Sequence, residues 1–169
     1  MANAALWACK RLGILPRYRV VAADSARAEA ERIGLVIDAG ETLVGLFTNP
    51  AEVVARLLAI TSRAVAVGGP GGWARMPYAA LSAMRFEGGK EQWDVLTLVS
   101  IDGRELPVHM PGEVEKPITS LACFLRKVSA AQQMFDRAAI ATASARHRDE
   151  WAARVAAGSG RVPMAKSPV

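Results

Sequence analysis

The chain has 169 residues, enough for one domain with extensions or for two small ones. At 51% hydrophobic and 22% charged residues the composition excludes a disordered chain, and no apolar run approaches the ~18–20 residues a membrane-spanning helix needs. The net charge of +5 is unevenly placed: residues 1–36 sum to +3, residues 37–113 to −3 and residues 114–169 to +5. The basic character thus belongs to the flanks.

Residues 2–12 read as a short helix, ended by Gly13 and Pro16. The opening "MANAALWACKRLGIL" begins like a secretory leader, but no charged segment precedes it and Lys10 and Arg11 interrupt its apolar run. It is expected to be retained and the protein to be cytoplasmic. Asp24 is placed to cap a second helix, "SARAEAERIGL", whose alanines, glutamates and arginines favour that state and whose exit is Gly34. Residues 1–39 are therefore expected to form an N-terminal helical extension.

From Thr42 onward the texture changes to short β-branched or apolar runs between turn signals. Seven strands are predicted: "TLVGLFT" (42–48), "VVARLLAIT" (53–61), "AVAVG" (64–68), "WARMP" (73–77), "SAMRFEG" (82–88), "WDVLTLVS" (93–100) and "RELPVHM" (104–110). Asn49-Pro50 closes the first. Asp102-Gly103 reads as a two-residue hairpin turn between the last two, with Leu96, Leu98, Leu106 and Val108 as apolar cover. Pro107 marks its strand as an edge. After Pro111-Gly112, Ile118, Leu121, Leu125 and Val128 fall on one helical face, with Pro117 in the first turn. The helical pattern then continues to about Ala157, and residues 158–169 read as a flexible tail.

"LLAITSRAVAV" resembles the second hairpin of bacterial pleckstrin-homology-like (PH-like, GRAM-type) domains, two apolar strands around a Thr-centred turn. "ARMPYAALSAMRF" is similar to their next element, in which a Pro-Tyr step turns one strand into another. "LTLVSIDGRELPVHM" resembles the closing hairpin and "ITSLACFLRKV" the capping helix. The resemblance covers about residues 40–128. It implies an α+β fold: a PH-like barrel of two near-orthogonal antiparallel sheets, about seven strands, capped by a C-terminal helix, with additional N- and C-terminal helices. Residues 40–128 would be the PH-like domain and 129–157 a C-terminal helical extension. On the residues themselves, Pro77 stops a ladder because it lacks a donor, and Tyr78 and Leu81 can then fold onto the core.

The chemistry-bearing residues point away from catalysis. "GGPGGW" (68–73) lacks the Gly-Lys-Ser/Thr ending of a phosphate loop and leads into a strand. His109 has no nucleophile in a recognisable setting, and Cys9, Cys123, His109 and His147 have no metal-ligand spacing. Both cysteines are expected as buried, reduced thiols. No cofactor and no metal are implied, and no enzyme is expected. The phosphoinositide-binding cations of PH domains have no counterpart in "TNPAEV", and Arg75, Arg85, Lys90 and Arg104 are interleaved with Glu87, Glu91, Asp94 and Glu105 as a mixed, solvated face.

The remaining candidates are interface anchors. Tryptophans and arginines are enriched where partners dock, and Trp73, Trp93, Phe135, Ile140, Arg148, Trp151 and Arg154 are the partner-binding candidates. The expected function is that of a non-enzymatic scaffold or protein-binding module, acting through a homo-oligomer or a partner protein, with the role of an adaptor or of a toxin-immunity protein within that class. The alternative is weak, reversible membrane-surface contact through the basic amphipathic stretch "AALWACKRLGIL". Nucleic acid is not an expected partner, because the basic flanks lack the aromatic interleaving of known modules.

Overall fold

The structure, a computed structural model, describes residues 4–87, 94–111 and 117–132. The chain divides into two compact units, 1–133 and 134–169, and the described residues all lie in the first. Their elements in order are α1 (Ala4–Arg11), β1 (Tyr18–Val20), α2 (Ala26–Arg32), β2 (Leu43–Thr48), β3 (Leu57–Thr61), β4 (Ala64–Gly69), β5 (Gly72–Pro77), β6 (Leu81–Glu87), β7 (Val95–Ser100) and β8 (Glu105–His109). A helix over residues 117–132, α3, follows.

The strands make two antiparallel sheets, ordered β1-β2-β3-β4-β5 and β6-β7-β8. The expected barrel is not formed, since among the described residues neither sheet closes. Proline supplies a physical reason. Closure across β5 and β8 would need hydrogen-bond donors on facing edges, and Pro77 ends one strand while Pro107 occupies the middle of the other. The fold is therefore α+β with two open sheets.

The five-stranded sheet is covered on both faces. One face packs Val44, Phe47, Leu58, Ile60, Val65 and Met76 into the main core. Leu96, Leu98, Leu106 and Val108 of the second sheet join that core, as do Ile118, Leu121, Phe124, Leu125 and Val128 of α3. The other face carries Leu43, Leu46, Ala59 and Ala66 against Ala26 and Ala30 of α2. Small residues on both sides of that contact let helix and sheet approach closely. Burial on two faces explains why β2, β3 and β4 read as continuous apolar runs without alternation.

Several predicted elements shift in detail. β1 was not anticipated: its three residues are too few for a period, and it exists because Tyr18, Arg19 and Val20 pair with Phe47, Leu46 and Gly45. The second helix starts after Ser25 and not Asp24, and no side chain caps its N-terminus. Its exit is a Schellman turn, with Leu35 N donating to Ala30 O at 2.9 Å and Gly34 N to Glu31 O at 3.0 Å. β3 begins at Leu57 because residues 49–56 form a loop held by Asn49. The β7–β8 turn holds three residues, not two, inside the closing pair Ser100 and Arg104: Gly103 N bonds Ser100 O at 3.0 Å and Gly103 has φ +82°. This is a type I turn followed by a left-handed residue, a role glycine fills without strain. Both cysteines are free but exposed, contrary to expectation. Ala4, Ala8 and Leu12 take the buried face of α1, and Ile118, Leu121 and Leu125 take that of α3, so Cys9 and Cys123 fall outside both stripes.

The α3 face is the clearest energetic test. Leu125 is 0% exposed in the main core. Leu125→Ala is expected to destabilise the fold by about 2–5 kcal/mol in urea melts. A loss below about 0.5 kcal/mol would mean that α3 does not close the core.

Candidate functional site

The corner between the two sheets is built on one threonine. Thr61 Oγ1 accepts Ala64 N at 2.8 Å and Arg63 N at 3.2 Å, shaping the β3–β4 turn. Its carbonyl accepts the Tyr78 hydroxyl at 2.9 Å. Tyr78 lies in a 3-10 turn, Tyr78–Ala80, that follows Pro77, and its ring meets Phe124 edge-on at 6.0 Å. The Pro-Tyr step is thus the point where the chain leaves one sheet for the other.

Thr61 also bonds Glu41, a buried carboxylate that takes Arg75 Nη2 at 2.6 Å and Asp38 N at 2.9 Å on its other oxygen. Burial pushes the Glu41 carboxyl up, but the Thr61 hydroxyl, the Asp38 N–H and the Arg75 guanidinium together hold it below the usual carboxylate range. It stays ionised at neutral pH, which suits a structural bridge rather than proton transfer. Among the described residues, no group of three or more His, Cys, Asp or Glu is placed to hold a metal ion.

The concavity that could accept a partner lies at the other end of β5, where the strand begins. A cleft of about 740 Å³ opens between the loop 52–55, the β4–β5 hairpin and β8. Val53 and Val54 form one wall, Val67 and Trp73 a second, and Leu106 and Pro107 a third, with Glu52, Glu105 and His109 as its polar groups. Val54 is 75% exposed, an apolar side chain offered to solvent at the mouth. Asn49 fixes the spacing of two walls: its Nδ2 donates to Ala55 O at 2.6 Å and to His109 O at 2.7 Å. A smaller groove of about 360 Å³ runs between β6 and α3.

Trp73 is the predicted anchor that the structure places at the cleft. It is half-buried, and its Nε1 donates to Ile33 O at 3.1 Å, bracing the end of α2. A Cβ at Gly68 would meet the indole at 2.9–3.1 Å, so only glycine lets the ring lie across β4. Trp93, Phe135, Ile140, Arg148, Trp151 and Arg154 lie outside the described residues. Sequence reasoning missed Val54, Leu106 and Pro107 as cleft residues. Their exposure and grouping depend on the Asn49 clamp, which ties together residues 60 positions apart.

The N-terminal stretch spends most of its apolar side chains within its own chain. Ala8, Leu12 and Leu15 are buried and Trp7 packs against the core, while Leu6 and Ile14 stay exposed near Lys10 and Arg11. Among the described residues no helix is long and apolar enough to cross a membrane.

No family model matches the sequence, and no curated protein matches it. Among solved structures it is similar to a DUF1696 family protein with a pleckstrin-homology domain from Shewanella loihica, at 16% identity and a TM-score of 0.43. The match covers 67% of this chain and 97% of that one. The likeness is remote.

The Glu41 bridge makes a pH-resolved prediction. Glu41→Gln removes the charge beneath Arg75 and is expected to cost about 2 kcal/mol in urea unfolding at pH 7. The folded carboxyl titrates below its ordinary value of 4.5, so its contribution is complete above that value and fades as pH falls through the lower folded one. The gap between wild type and E41Q should therefore be flat above about pH 5.5 and shrink below about pH 4. A gap that persists undiminished at pH 3 would assign the loss to packing.

Proposed function

We propose that this chain is a non-enzymatic protein-binding module, working as a scaffold that assembles with copies of itself or with a partner protein. The observation that carries the reading is the apolar cleft beside Trp73, with Val54 exposed at its mouth. Apolar side chains around a preformed concavity are the ordinary means of seating a partner's anchor residue. A second contact, resting on sequence alone, is the segment that carries Phe135, Ile140, Arg148, Trp151 and Arg154. Trp93 belongs to the same class of candidate. An adaptor or toxin-immunity role is one form of this function. The membrane-surface alternative has less support, because most of the apolar side chains it would insert are already buried in the core.

Size-exclusion chromatography with light scattering tests the reading on the full chain. The expected result is a mass of at least two chains, reduced to one by Val54→Asp or by deletion of residues 134–169, with thermal melts unchanged by V54D. Full-length protein that elutes as a monomer and co-sediments with anionic vesicles would overturn it in favour of the membrane reading.

A further inference from the structure

The cleft is also a seam between two strand edges. In an antiparallel ladder, pairs that exchange hydrogen bonds alternate with pairs whose N–H and C=O point away from the neighbour. Met110 N donates to Asp94 O and Ser100 N to Arg104 O, both at 2.9 Å, which fixes the even-numbered positions of β8 as bonded to β7. The backbone groups of Glu105, Pro107 and His109 therefore point outward. In β5, the bond from Tyr78 N to Arg63 O at 2.9 Å sets the same alternation, and Trp73, Arg75 and Pro77 point away from β4.

Both prolines thus stand where an outward donor would be, at no cost to their own ladders. The His109 carbonyl is taken by Asn49. The outward N–H and C=O of Trp73 and Glu105 have no partner among the described residues, and both residues line the cleft. Among the described residues the cleft's charged lining is Glu52 and Glu105, without lysine or arginine, and Glu105 keeps Arg85 at 2.5 Å on one oxygen.

We propose that this seam captures an extended, basic segment of a partner protein as an added strand, with main-chain bonds to Trp73 and Glu105 and an apolar side chain in the cleft. Open strand edges accept a further strand through main-chain hydrogen bonds, while side-chain pockets set specificity. The acidic lining selects lysine or arginine beside the apolar anchor. Pro77 and Pro107 limit the added pairing to a few residues and keep the two edges from sealing on each other. The inference rests on the cleft as a protein-binding site and adds the mode of binding and the chemistry of the partner.

Selection of random twelve-residue peptides displayed on phage, against the full-length protein, supplies the probe. Enriched peptides are expected to alternate apolar residues with lysine or arginine and to slow amide exchange at Trp73 and Glu105. In fluorescence anisotropy, Glu105→Pro should weaken binding at least tenfold, whereas Glu105→Gln should weaken it only a few-fold and flatten its salt dependence. β8 already holds a proline at an outward position, so E105P should fold; if its thermal melt is lost, amide protection at Trp73 and Glu105 in the wild type decides instead. Peptides that bind E105P as tightly as wild type, without that protection, overturn strand addition. If those peptides are still lost on Val54→Asp, the cleft binds protein by side chains alone and the proposed function stands. Failure to enrich any peptide overturns strand capture while leaving the light-scattering result on assembly untouched.

Discussion

A buried carboxylate and one threonine hold the geometry of this molecule in place. Glu41 is only 6% exposed, yet it is ionised, and its two oxygens join the Thr61 hydroxyl, the Asp38 backbone and the Arg75 guanidinium. Thr61 has a single hydroxyl proton, with the Ala64 carbonyl 3.0 Å away and the Glu41 carboxylate as competing acceptors. The charged acceptor is the stronger of the two. That choice leaves the Thr61 lone pairs for the two turn N–H groups and its carbonyl for Tyr78. The β3–β4 turn, the middle of β5 and the corner after Pro77 are consequently one connected unit.

The position of that corner decides where the sheets part. Tyr78 anchors the chain as it leaves β5, so β6 starts a second sheet instead of extending the first. α3 fills the space between the sheets with Leu121, Phe124 and Leu125. On the opposite side, β5 and β8 face each other with prolines at outward positions and stay unjoined. The open seam and the apolar cleft are two descriptions of one feature. Its width follows from the Asn49 amide, which ties the loop before β3 to the end of β8.

The N-terminal residues do more structural work than their helical composition suggests. Arg19 of β1 and Arg32 of α2 converge on Glu29, while the Tyr18 ring lies over Gly45. Burial raises the Tyr18 hydroxyl well above its ordinary range, with Cys9 adding to the effect, so it stays protonated. α2 covers the outer face of the five-stranded sheet, and Trp73 locks its exit. Without that cover the outer face would present Leu43, Leu46 and two alanines to water.

The sequence by itself determined the order of most elements. Pro77-Tyr78, the Thr61-Ser62-Arg63 turn and the i, i+3, i+7 spacing from Ile118 to Leu125 are local signals, because backbone sterics and side-chain period act within a few residues. Alternation also placed Leu96, Leu98, Leu106 and Val108 on one face of a hairpin whose register pairs them. Only the tertiary structure decided that the sheets stay open, that a three-residue strand joins the first of them, and that α2 buries its far side. These outcomes rest on pairings between distant residues such as Tyr18 with Phe47, and Asn49 with His109. The cleft was illegible for the same reason. Val54 and Leu106 are ordinary apolar residues in the sequence, and they become a site only because long-range hydrogen bonds bring a loop, a hairpin and an edge strand around one space.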